Sequence, residues 1–264
     1  MPLITLSTDF GLADPYVGVM KGVILEINPQ ARLVDLTHDL SNRRLAQAAM
    51  ILQPAFAYFP LNTVHLAVVD PGVGGERRLL AIQANETFWV GPDNGLFTLV
   101  LKNQPQAKII RLTNSKYFLR RISNTFHGRD ILAPVAAHLS LGVPLEEMGS
   151  VISDPVLLDL PEPEIKEKEI SGEVLWADHF GNLISNIHHE TLHPVISNPA
   201  LTVLLGTEDP IRAILQNYSQ GLPGSLMALI GSSGYLEIAS NLGRAAEKVG
   251  YAPSKKMKVL VTWS

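Results

Sequence analysis

The chain has 264 residues, of which 46% are hydrophobic and 17% are charged, with a formal net charge of −4 and no cysteine. A sizeable core is therefore possible in one large domain or two smaller ones. Nucleic-acid binding is not expected, because no cluster of Lys and Arg is present to neutralise phosphates. The lack of cysteine excludes disulfides, thiolate catalysis and cysteine-bound zinc or iron–sulfur clusters.

The N-terminal residues, MPLITLSTDFG, lack a basic segment and predict a first strand in place of a signal peptide. No apolar run in the sequence approaches the length of a membrane span. We therefore expect a cytoplasmic protein with neither a membrane nor a nucleic acid as its partner.

Along residues 1–160, sequence patterns typical of strands alternate with patterns typical of helices. LITLST predicts the first strand, and Asp14-Pro15 then offers a helix N-cap followed by proline at the first helical position. Apolar residues recur at helical spacing over 17–27, which predicts the first helix.

The next segments continue this alternation. RLVDL predicts a second strand, and a second helix is expected over about 43–58, kinked or broken at Pro54. TVHLAVVD is apolar enough for a strand buried on both faces, as in parallel sheets. Further strands are predicted at LLAIQA, TFWV and KIIRL, and a last helix at about 129–141. The alternation predicts an α/β domain with a Rossmann-like layered, largely parallel sheet.

Composition changes abruptly at LPEPEIKEKEI, where prolines give way to alternating charges, so residues 161–170 are predicted to be a linker. Beyond it, short strand-like segments are separated by Gly, Pro, Asn and Ser. They are GEVLWAD, NLISNI, LTVLL, SLMALIG, YLEIA and KMKVLVTW. This pattern is typical of a small barrel or sandwich, and we expect an all-β domain over 171–264.

Two short patterns resemble known motifs but do not support their chemistry. GVGGER has an arginine where the dinucleotide-binding pattern G-x-G-x-x-G needs its last glycine. HETLH, residues 189–193, matches the zinc-protease pattern H-E-x-x-H letter for letter. Pro194 follows at once and is expected to push His193 out of the α region, so the helix cannot continue. We interpret HETLH as a solvated turn and expect no metal site.

Polar residues gather where the predicted strands end. Asp9 and Asp70 each follow a strand, GPDNG places Asp93 and Asn94 in a tight turn, and NTFHGRD brings His127 in front of a helix. Each of them alone has a structural explanation, since Asp and Asn commonly cap helices and form turns. Together they lie at the carboxyl edge of an α/β sheet, where ligands bind. They therefore predict a ligand site.

Several longer motifs resemble those of the S-adenosylmethionine hydrolases, also called S-adenosylmethionine hydroxide adenosyltransferases, and of the related fluorinating and chlorinating enzymes. The motifs are TDFGLADPYVGVMKG, VVDPGVGGER, VGPDNGLFT, NTFHGRDILAPVAAHLSLG, ADHFGNLISNI and GSSGYLEIA. They extend over nearly the whole chain in the family order. The resemblance implies an N-terminal α/β domain, a C-terminal β-barrel, and a homotrimer whose active sites lie between the N-domain of one subunit and the C-domain of its neighbour.

The resemblance also implies an activity and its residues. The substrate would be S-adenosyl-L-methionine, cleaved to adenosine and L-methionine with no cofactor and no metal. Asp70, Arg77 and His127 match the residues with which the hydrolases hold and activate a water. The residues expected to contact the substrate are Asp9, Asp14, Asp93, Asn94, Thr125, Phe126, Asp178, Phe180, Asn182, Ser232 and Ser233.

This assignment is chemically reasonable because a sulfonium is already a good leaving group, so the reaction lacks only a competent nucleophile. His127 is the natural base, since its reference pKa is about 6.5. Arg77 would hold Asp70 in its charged form. We therefore expect Asp70 to orient the imidazole or the water and not to transfer the proton.

Two alternatives stay open from the sequence. One is halide-dependent substitution at the same carbon, which Gly128 disfavours because the halogenating relatives hold their halide with a serine. The other is a non-catalytic protein that binds S-adenosylmethionine or adenosine. A metallohydrolase built on HETLH ranks last.

Overall fold

The computed structural model describes residues 2–41 and 44–264. The chain divides into two compact units, with the boundary between Asp159 and Leu160. Each unit is built on its own sheet. Among the helices of the described residues, none combines the length and the hydropathy that crossing a bilayer would require.

The first unit contains a seven-stranded sheet in the order β2-β1-β3-β5-β4-β6-β7. Its strands are β1 (Leu3–Thr8), β2 (Arg32–Thr37), β3 (Val64–Val68), β4 (Leu79–Ala84), β5 (Thr87–Pro92), β6 (Lys108–Leu112) and β7 (Gly149–Val151). Strands β2, β1, β3 and β5 are parallel, whereas β4, β6 and β7 join antiparallel. The sheet is thus mixed, and the predicted largely parallel arrangement holds for its first four strands.

A tight hairpin causes the change of direction. Ala84 pairs with Thr87, so Asn85 and Glu86 alone connect β4 to β5. Both have positive φ, 45° and 55°, as a two-residue hairpin turn of the I′ type requires. Asn-Glu lacks the glycine that usually marks such a turn, and for this reason the sequence did not indicate it.

Helices cover both faces of this sheet. The helices are α1 (Tyr16–Ile27), α2 (Leu45–Phe56), α3 (Thr98–Asn103) and α4 (Ala133–Ser140). Met20 and Ile24 of α1 pack with α4 and with one sheet face, while Leu52 of α2 and Val100 of α3 pack on the other face. Burying such a side chain contributes about 1.5–3 kcal/mol each, so the two apolar layers fix the sheet between the helices.

Three helix boundaries differ from those predicted. Asp14 makes no capping hydrogen bond, because Pro15 is the N-cap residue of α1. Helix α2 includes Pro54 and does not break there, and the predicted start of this helix at Arg43 lies outside the described residues. The last predicted helix begins as a π-helical turn, Gly128–Leu132, before it continues as α4.

The second unit is built on an eight-stranded sheet. Its strands are β8 (Glu164–Lys166), β9 (Glu169–Ala177), β10 (Leu183–His188), β11 (Thr202–Leu205), β12 (Ile214–Leu215), β13 (Leu226–Ile230), β14 (Tyr235–Ser240) and β15 (Lys258–Thr262). The path runs β11-β15-β9-β10-β14-β13-β12, and β8 pairs with β9. An isolated bridge between Val203 and Ile211 links β11 to the segment that leads into β12. The sheet is therefore nearly barrel-shaped.

Two features of this unit differ from the sequence-based description. It contains two single-turn helices, α5 (His189–Leu192) and α6 (Ala245–Lys248), so strands are not its sole elements. Residues 164–166 of the predicted linker form β8, which turns through Glu167 and Lys168 into β9. Alternating charged and apolar residues are compatible with a short hairpin as well as with a linker.

Candidate active site

A cleft of about 480 Å³ opens in the first unit at the edge where its parallel strands end. Thr8 of β1 pairs with Val68 of β3, so the residues that follow these two strands leave the sheet side by side. The cleft is lined in part by Phe10, Tyr16, Asp70, Phe126, His127 and Arg129. This is the edge where α/β sheets bind ligands.

Asp70 and Arg77 form a close ion pair beside the cleft. Arg77 Nε donates to both carboxylate oxygens of Asp70, at 2.9 and 3.0 Å, and Nη2 donates to Oδ2. The Asp70 side chain is only 5% exposed. A planar guanidinium that contacts both oxygens fixes the orientation of the carboxylate, which a lysine could not do.

The turn between these two residues lies against the segment that carries His127. Gly74 has φ +80°, and a Cβ at this position would lie 2.3 Å from the carbonyl oxygen of Asn124. Glycine is therefore required both for the backbone conformation and for the close approach. The contact brings the Asp70–Arg77 turn and the NTFHGRD segment together.

His127 lies at the start of the π-helical turn and lines the cleft. Burial lowers the pKa of His127 below its ordinary value, and the positive charge of Arg77 lowers it further. Its Nδ1 atom is buried and has no hydrogen-bond partner of normal geometry in the described structure. The ring is therefore neutral at neutral pH, and one of its nitrogens is left for a water or a ligand.

Asp130 anchors the segment that carries His127. It is fully buried, accepts from the backbone N–H of Ser123 at 2.8 Å and pairs with Arg129 Nε at 2.6 Å. These hydrogen bonds lower the pKa of Asp130 although burial opposes the shift. Sequence reasoning missed this role, because neighbouring Arg and Asp in a loop give no sign of which one becomes buried.

Asp9 lies half-buried after β1, close enough to Asp70 to feel its charge. Burial raises the pKa of Asp9 above its ordinary value, and the negative charge of Asp70 adds to the rise. Its carboxylate can accept hydrogen bonds from a ligand that carries hydroxyl groups.

The cleft is also lined by aromatic rings. Phe126, which was predicted, and Phe10 and Tyr16, which were not, form a cluster with ring centroids 5.4–6.0 Å apart in edge-to-face geometry. Arg129 lies over the Phe126 ring at 5.1 Å. Thr125 lines the cleft next to Phe126. Phe10 lies two residues after β1 and Tyr16 is the first residue of α1, both within TDFGLADPY, and that position was the signal available in the sequence.

Besides Asp9, three predicted contact residues of this unit do not line the cleft. Asp93 is buried and accepts from Arg78 Nε at 2.6 Å and from the backbone N–H of Val156 at 2.8 Å, so its oxygens already have structural partners. Asn94 donates to the carbonyl oxygen of Val69 at 2.8 Å and thereby supports the end of β3. Asp14 is exposed in the turn before α1.

The remaining predicted contacts lie in the second unit. Asn182 donates through its backbone N–H and its side-chain amide to Asp178, at 2.8 and 3.0 Å, which closes the turn between β9 and β10. Phe180, at the tip of this turn, is 70% exposed. Ser232 is exposed and Ser233 half-buried in the turn between β13 and β14.

A buried carboxyl group lies near Asp178 and was not predicted. Glu237 of β14 is 5% exposed and accepts from the Tyr218 hydroxyl at 2.6 Å. Burial raises the pKa of Glu237, and the charge of Asp178 adds to the rise. This side of the second unit therefore concentrates acidic groups, which favours a cationic ligand.

HETLH forms the single-turn helix α5 and the residue after it. His193 has φ −48° and ψ −42°, so the expectation that Pro194 would force it out of the α region is wrong. The helix nevertheless ends at Leu192, and both histidines of the motif are exposed. Among the described residues, no group of three or more His, Asp or Glu is arranged to hold a metal ion.

Sequence comparison places both units in known domain families. The profile described as "SAM hydroxide adenosyltransferase N-terminal domain" matches residues 4–149, and that of the corresponding C-terminal domain matches residues 172–258. Together these matches cover most of the chain.

Relatives of similar length support this match. Proteins named (R)-S-adenosyl-L-methionine hydrolase from Salinispora tropica and Thermus thermophilus are 36% and 38% identical, covering 98% of this chain and 97% and 99% of their own. Proteins named fluorinase match at 25–26% identity. An uncharacterized conserved protein of Thermotoga maritima has a similar structure, with a TM-score of 0.91 and 35% identity, covering 98% of this chain and 99% of its own.

Proposed function

The chain belongs to the SAM hydroxide adenosyltransferase family, and from this premise we propose that it hydrolyses S-adenosyl-L-methionine to adenosine and L-methionine. The observation that carries the proposal is the meeting of Asp70, Arg77 and His127 at one cleft. A neutral, partly desolvated imidazole beside a rigid carboxylate–guanidinium pair is suited to hold and deprotonate a water.

In the proposed reaction, the oxygen of a water attacks C5′ of the substrate in line with the carbon–sulfur bond. That bond breaks, its electron pair remains on sulfur, and the sulfonium becomes the neutral thioether of methionine. His127 accepts the proton of the water and returns it to solvent. General-base assistance of this kind contributes about 10²–10⁴-fold in rate.

Asp70 and Arg77 position the reaction and do not transfer the proton. Arg77 neutralises the charge of the Asp70 carboxylate and orients it through two nitrogen donors, Nε and Nη2. Holding the water at attack distance and angle removes part of the entropic barrier. The chemistry needs no cofactor and no metal, because the sulfonium leaves as a neutral molecule.

The rest of the substrate requires further contacts. Asp9 accepts hydrogen bonds from the vicinal ribose hydroxyls. Thr125 and Phe126 border the same cleft. The remaining contact residues come from polar turns of both units and are Asp14, Asp178, Phe180, Asn182, Ser232 and Ser233. Asp93 and Asn94 contribute by supporting the turn and not by direct contact.

We also propose the assembly and location that the family resemblance implies. The protein is a cytoplasmic homotrimer, and each cleft is completed by the second unit of a neighbouring subunit, a closed all-β barrel that contributes Asp178, Phe180 and Asn182. The first unit is the Rossmann-like layer. Sedimentation equilibrium tests the trimer, and a monomer with full activity would contradict the shared site.

The names of the relatives specify the R configuration at the sulfonium. We extend the proposal to that epimer for this chain. Since in-line attack fixes the direction of the carbon–sulfur bond, inverting the sulfur exchanges the positions of the methyl group and the methionine arm.

The test is chromatography of purified, chelator-treated protein incubated separately with the R and S epimers, with and without chloride. Equimolar adenosine and methionine from the R epimer, independent of chloride and chelator, are the expected products. Loss of activity on chelation would contradict the metal-free reaction.

Two other functions give different results in this experiment. Halide-dependent substitution would yield a chlorinated nucleoside and a rate that rises with chloride. A binding protein would retain the substrate without product. The lower identity to fluorinases and the presence of Gly128 disfavour the first, and the Asp70–Arg77–His127 arrangement disfavours the second.

A further inference from the structure

Three aromatic rings line the cleft, and none of them takes part in activating the water. Tyr16 lies 6.0 Å from Phe10 and 5.4 Å from Phe126, between ring centroids, with interplanar angles of 65° and 87°. The Tyr16 side chain is 47% exposed although it begins α1 and faces the cleft. A large ring held in place but left open is typical of a ligand contact.

The charged groups of the cleft cancel in pairs. Among the described residues that line the cleft, Asp70 is the one carboxylate, and Arg77 neutralises it. Arg129 is the one permanently charged cation in the lining, and Asp130 neutralises it. The lining itself therefore offers a positively charged ligand no unpaired anion, and Asp9, which lies outside the lining, has a raised pKa through burial and is assigned to the ribose hydroxyls.

Phe126 already has a cation over its face. The Arg129 guanidinium carbon lies 5.1 Å from the centroid of that ring. Tyr16 is the exposed aromatic ring beside it, in edge contact with Phe126. Because Phe126 directly precedes His127, a cation over Tyr16 would lie near the atom that the activated water attacks.

We infer that the ring of Tyr16 binds the sulfonium of the substrate by a cation–π interaction. This inference rests on the proposed function, and it assigns recognition of the positive charge to an aromatic ring where a carboxylate would otherwise be expected. A ring attracts a cation within about 6 Å of its centroid, and the attraction is stronger for a desolvated site.

The reaction determines how this contact acts. Carbon–sulfur cleavage converts the cation into a neutral thioether, so the attraction is largest for bound substrate and declines towards the transition state. An interaction that is stronger in the bound substrate than in the transition state lowers KM and also lowers kcat. It also weakens the hold on methionine once the bond has broken, which favours product release.

The experiment compares a charged ligand with its neutral counterpart. Affinities for the R epimer of S-adenosylmethionine and for S-adenosyl-L-homocysteine, a thioether without the charge, are measured by calorimetry in a His127→Ala background that prevents turnover. The variants are Tyr16→Leu, which removes the ring, and Tyr16→Phe, which keeps it. Tyr58→Leu is the control, since Tyr58 is 82% exposed and does not line the cleft.

We expect Tyr16→Leu to weaken binding of S-adenosylmethionine about 5- to 30-fold, as expected for a cation–π contact of about 1–2 kcal/mol. Binding of S-adenosylhomocysteine should change less than twofold. Tyr16→Phe and Tyr58→Leu should retain the wild-type ratio of the affinity for S-adenosylmethionine to that for S-adenosylhomocysteine. With His127 intact, Tyr16→Leu should raise KM without lowering kcat.

Equal weakening of both ligands in Tyr16→Leu would overturn the inference, and so would a loss in Tyr16→Phe as large as that in Tyr16→Leu. The proposed function fails separately. If the wild-type protein forms no adenosine but the ratio changes as expected, hydrolysis is wrong and the sulfonium contact stands. If the wild type hydrolyses the substrate and the ratio is unchanged, only the contact is wrong.

Discussion

Arg77 holds the carboxylate of Asp70 through two of its nitrogens, with Nε 2.9 and 3.0 Å from the two oxygens. The same guanidinium lowers the pKa of His127, because its positive charge disfavours protonation of the nearby ring. One residue thus fixes the geometry of the carboxylate and, in addition to burial, helps keep the base neutral. The two effects can be separated by experiment.

The first prediction concerns the pH dependence of activity in Arg77→Gln. Removing the positive charge should raise the pKa of His127, and an unpaired Asp70 would raise it further. Because the base must be neutral, the acidic limb of the kcat/KM profile should move to higher pH, in addition to a general fall in rate. The measurement is a pH–rate profile from pH 5 to 9. Arg111→Gln, an exposed arginine on β6, is the control for net charge, and an acidic limb that stays in place would contradict the electrostatic role.

The second prediction concerns the base itself. His127→Ala should lower kcat by about 10²–10⁴-fold, as expected when general-base assistance is lost. Asp70→Ala should also lower turnover, while adenosine binding measured by calorimetry should remain largely unchanged in both variants. His189→Ala in HETLH is the matched control and should keep full activity. Unaltered turnover in both cleft variants would remove these residues from the mechanism.

The third prediction concerns the glycine that lets the two loops meet. Gly74→Ala would place a Cβ 2.3 Å from the Asn124 carbonyl oxygen, at a φ of +80°. Gly142→Ala has a similar φ, +85°, but open space around its Cβ. In Gly142→Ala, the control, backbone strain alone should lower the free energy of unfolding in urea, by about 1–2 kcal/mol, and the activity should stay normal. Gly74→Ala should lose more stability and also at least about tenfold in kcat/KM, because His127 moves relative to Asp70. Similar behaviour of the two variants would show that only backbone strain matters.

Much of the sheet framework could be predicted from the sequence. KIIRL forms β6 residue for residue, and the apolar run before Asp70 contains β3, which is buried throughout. Strand β3 is predictable because burial on both faces of a sheet demands unbroken apolar residues. The Asn85-Glu86 hairpin was not predictable, because Glu86 has the positive φ that glycine usually supplies at the second position of such a turn.

The cleft was predictable only where its residues stand at strand ends. Asp93 and Asp70 look alike in the sequence, since each follows a strand and precedes a turn. The structure gives Asp93 two internal partners, Arg78 and the Val156 backbone, and places Asp70 at the cleft. The difference depends on Arg78 and on residues 154–156, which are distant in sequence from Asp93 and close to it in space. Tyr16 and Phe10 were missed for the same reason, as their shared cluster forms only when β1 and the Phe126 segment meet.

The fourth prediction concerns acid stability and a histidine outside the cleft. His65 of β3 is buried against Phe56 and Trp89, and its Nδ1 lies 2.8 Å from Thr5 Oγ1. Burial lowers the pKa of His65 to about 3. The folded protein therefore keeps this ring neutral between pH 3 and 6.5, whereas the unfolded chain protonates it below a pKa of about 6.5.

Because the unfolded state binds the extra proton, the contribution of His65 to stability is present above pH 6.5 and declines as the pH falls below it. Between pH 7 and pH 5 this single group should reduce the free energy of unfolding by about 2 kcal/mol. The double variant Thr5→Val/His65→Leu removes the titrating ring together with its hydroxyl partner, so that no polar group is left unpaired. Urea unfolding is measured at both pH values. On acidification, the free energy of unfolding of this variant should fall by about 2 kcal/mol less than that of the wild type. In the exposed-site control His193→Leu it should fall as much as in the wild type. An equal loss in the double variant would mean that the acid sensitivity arises elsewhere, and His65 would then serve only to pack the aromatic cluster.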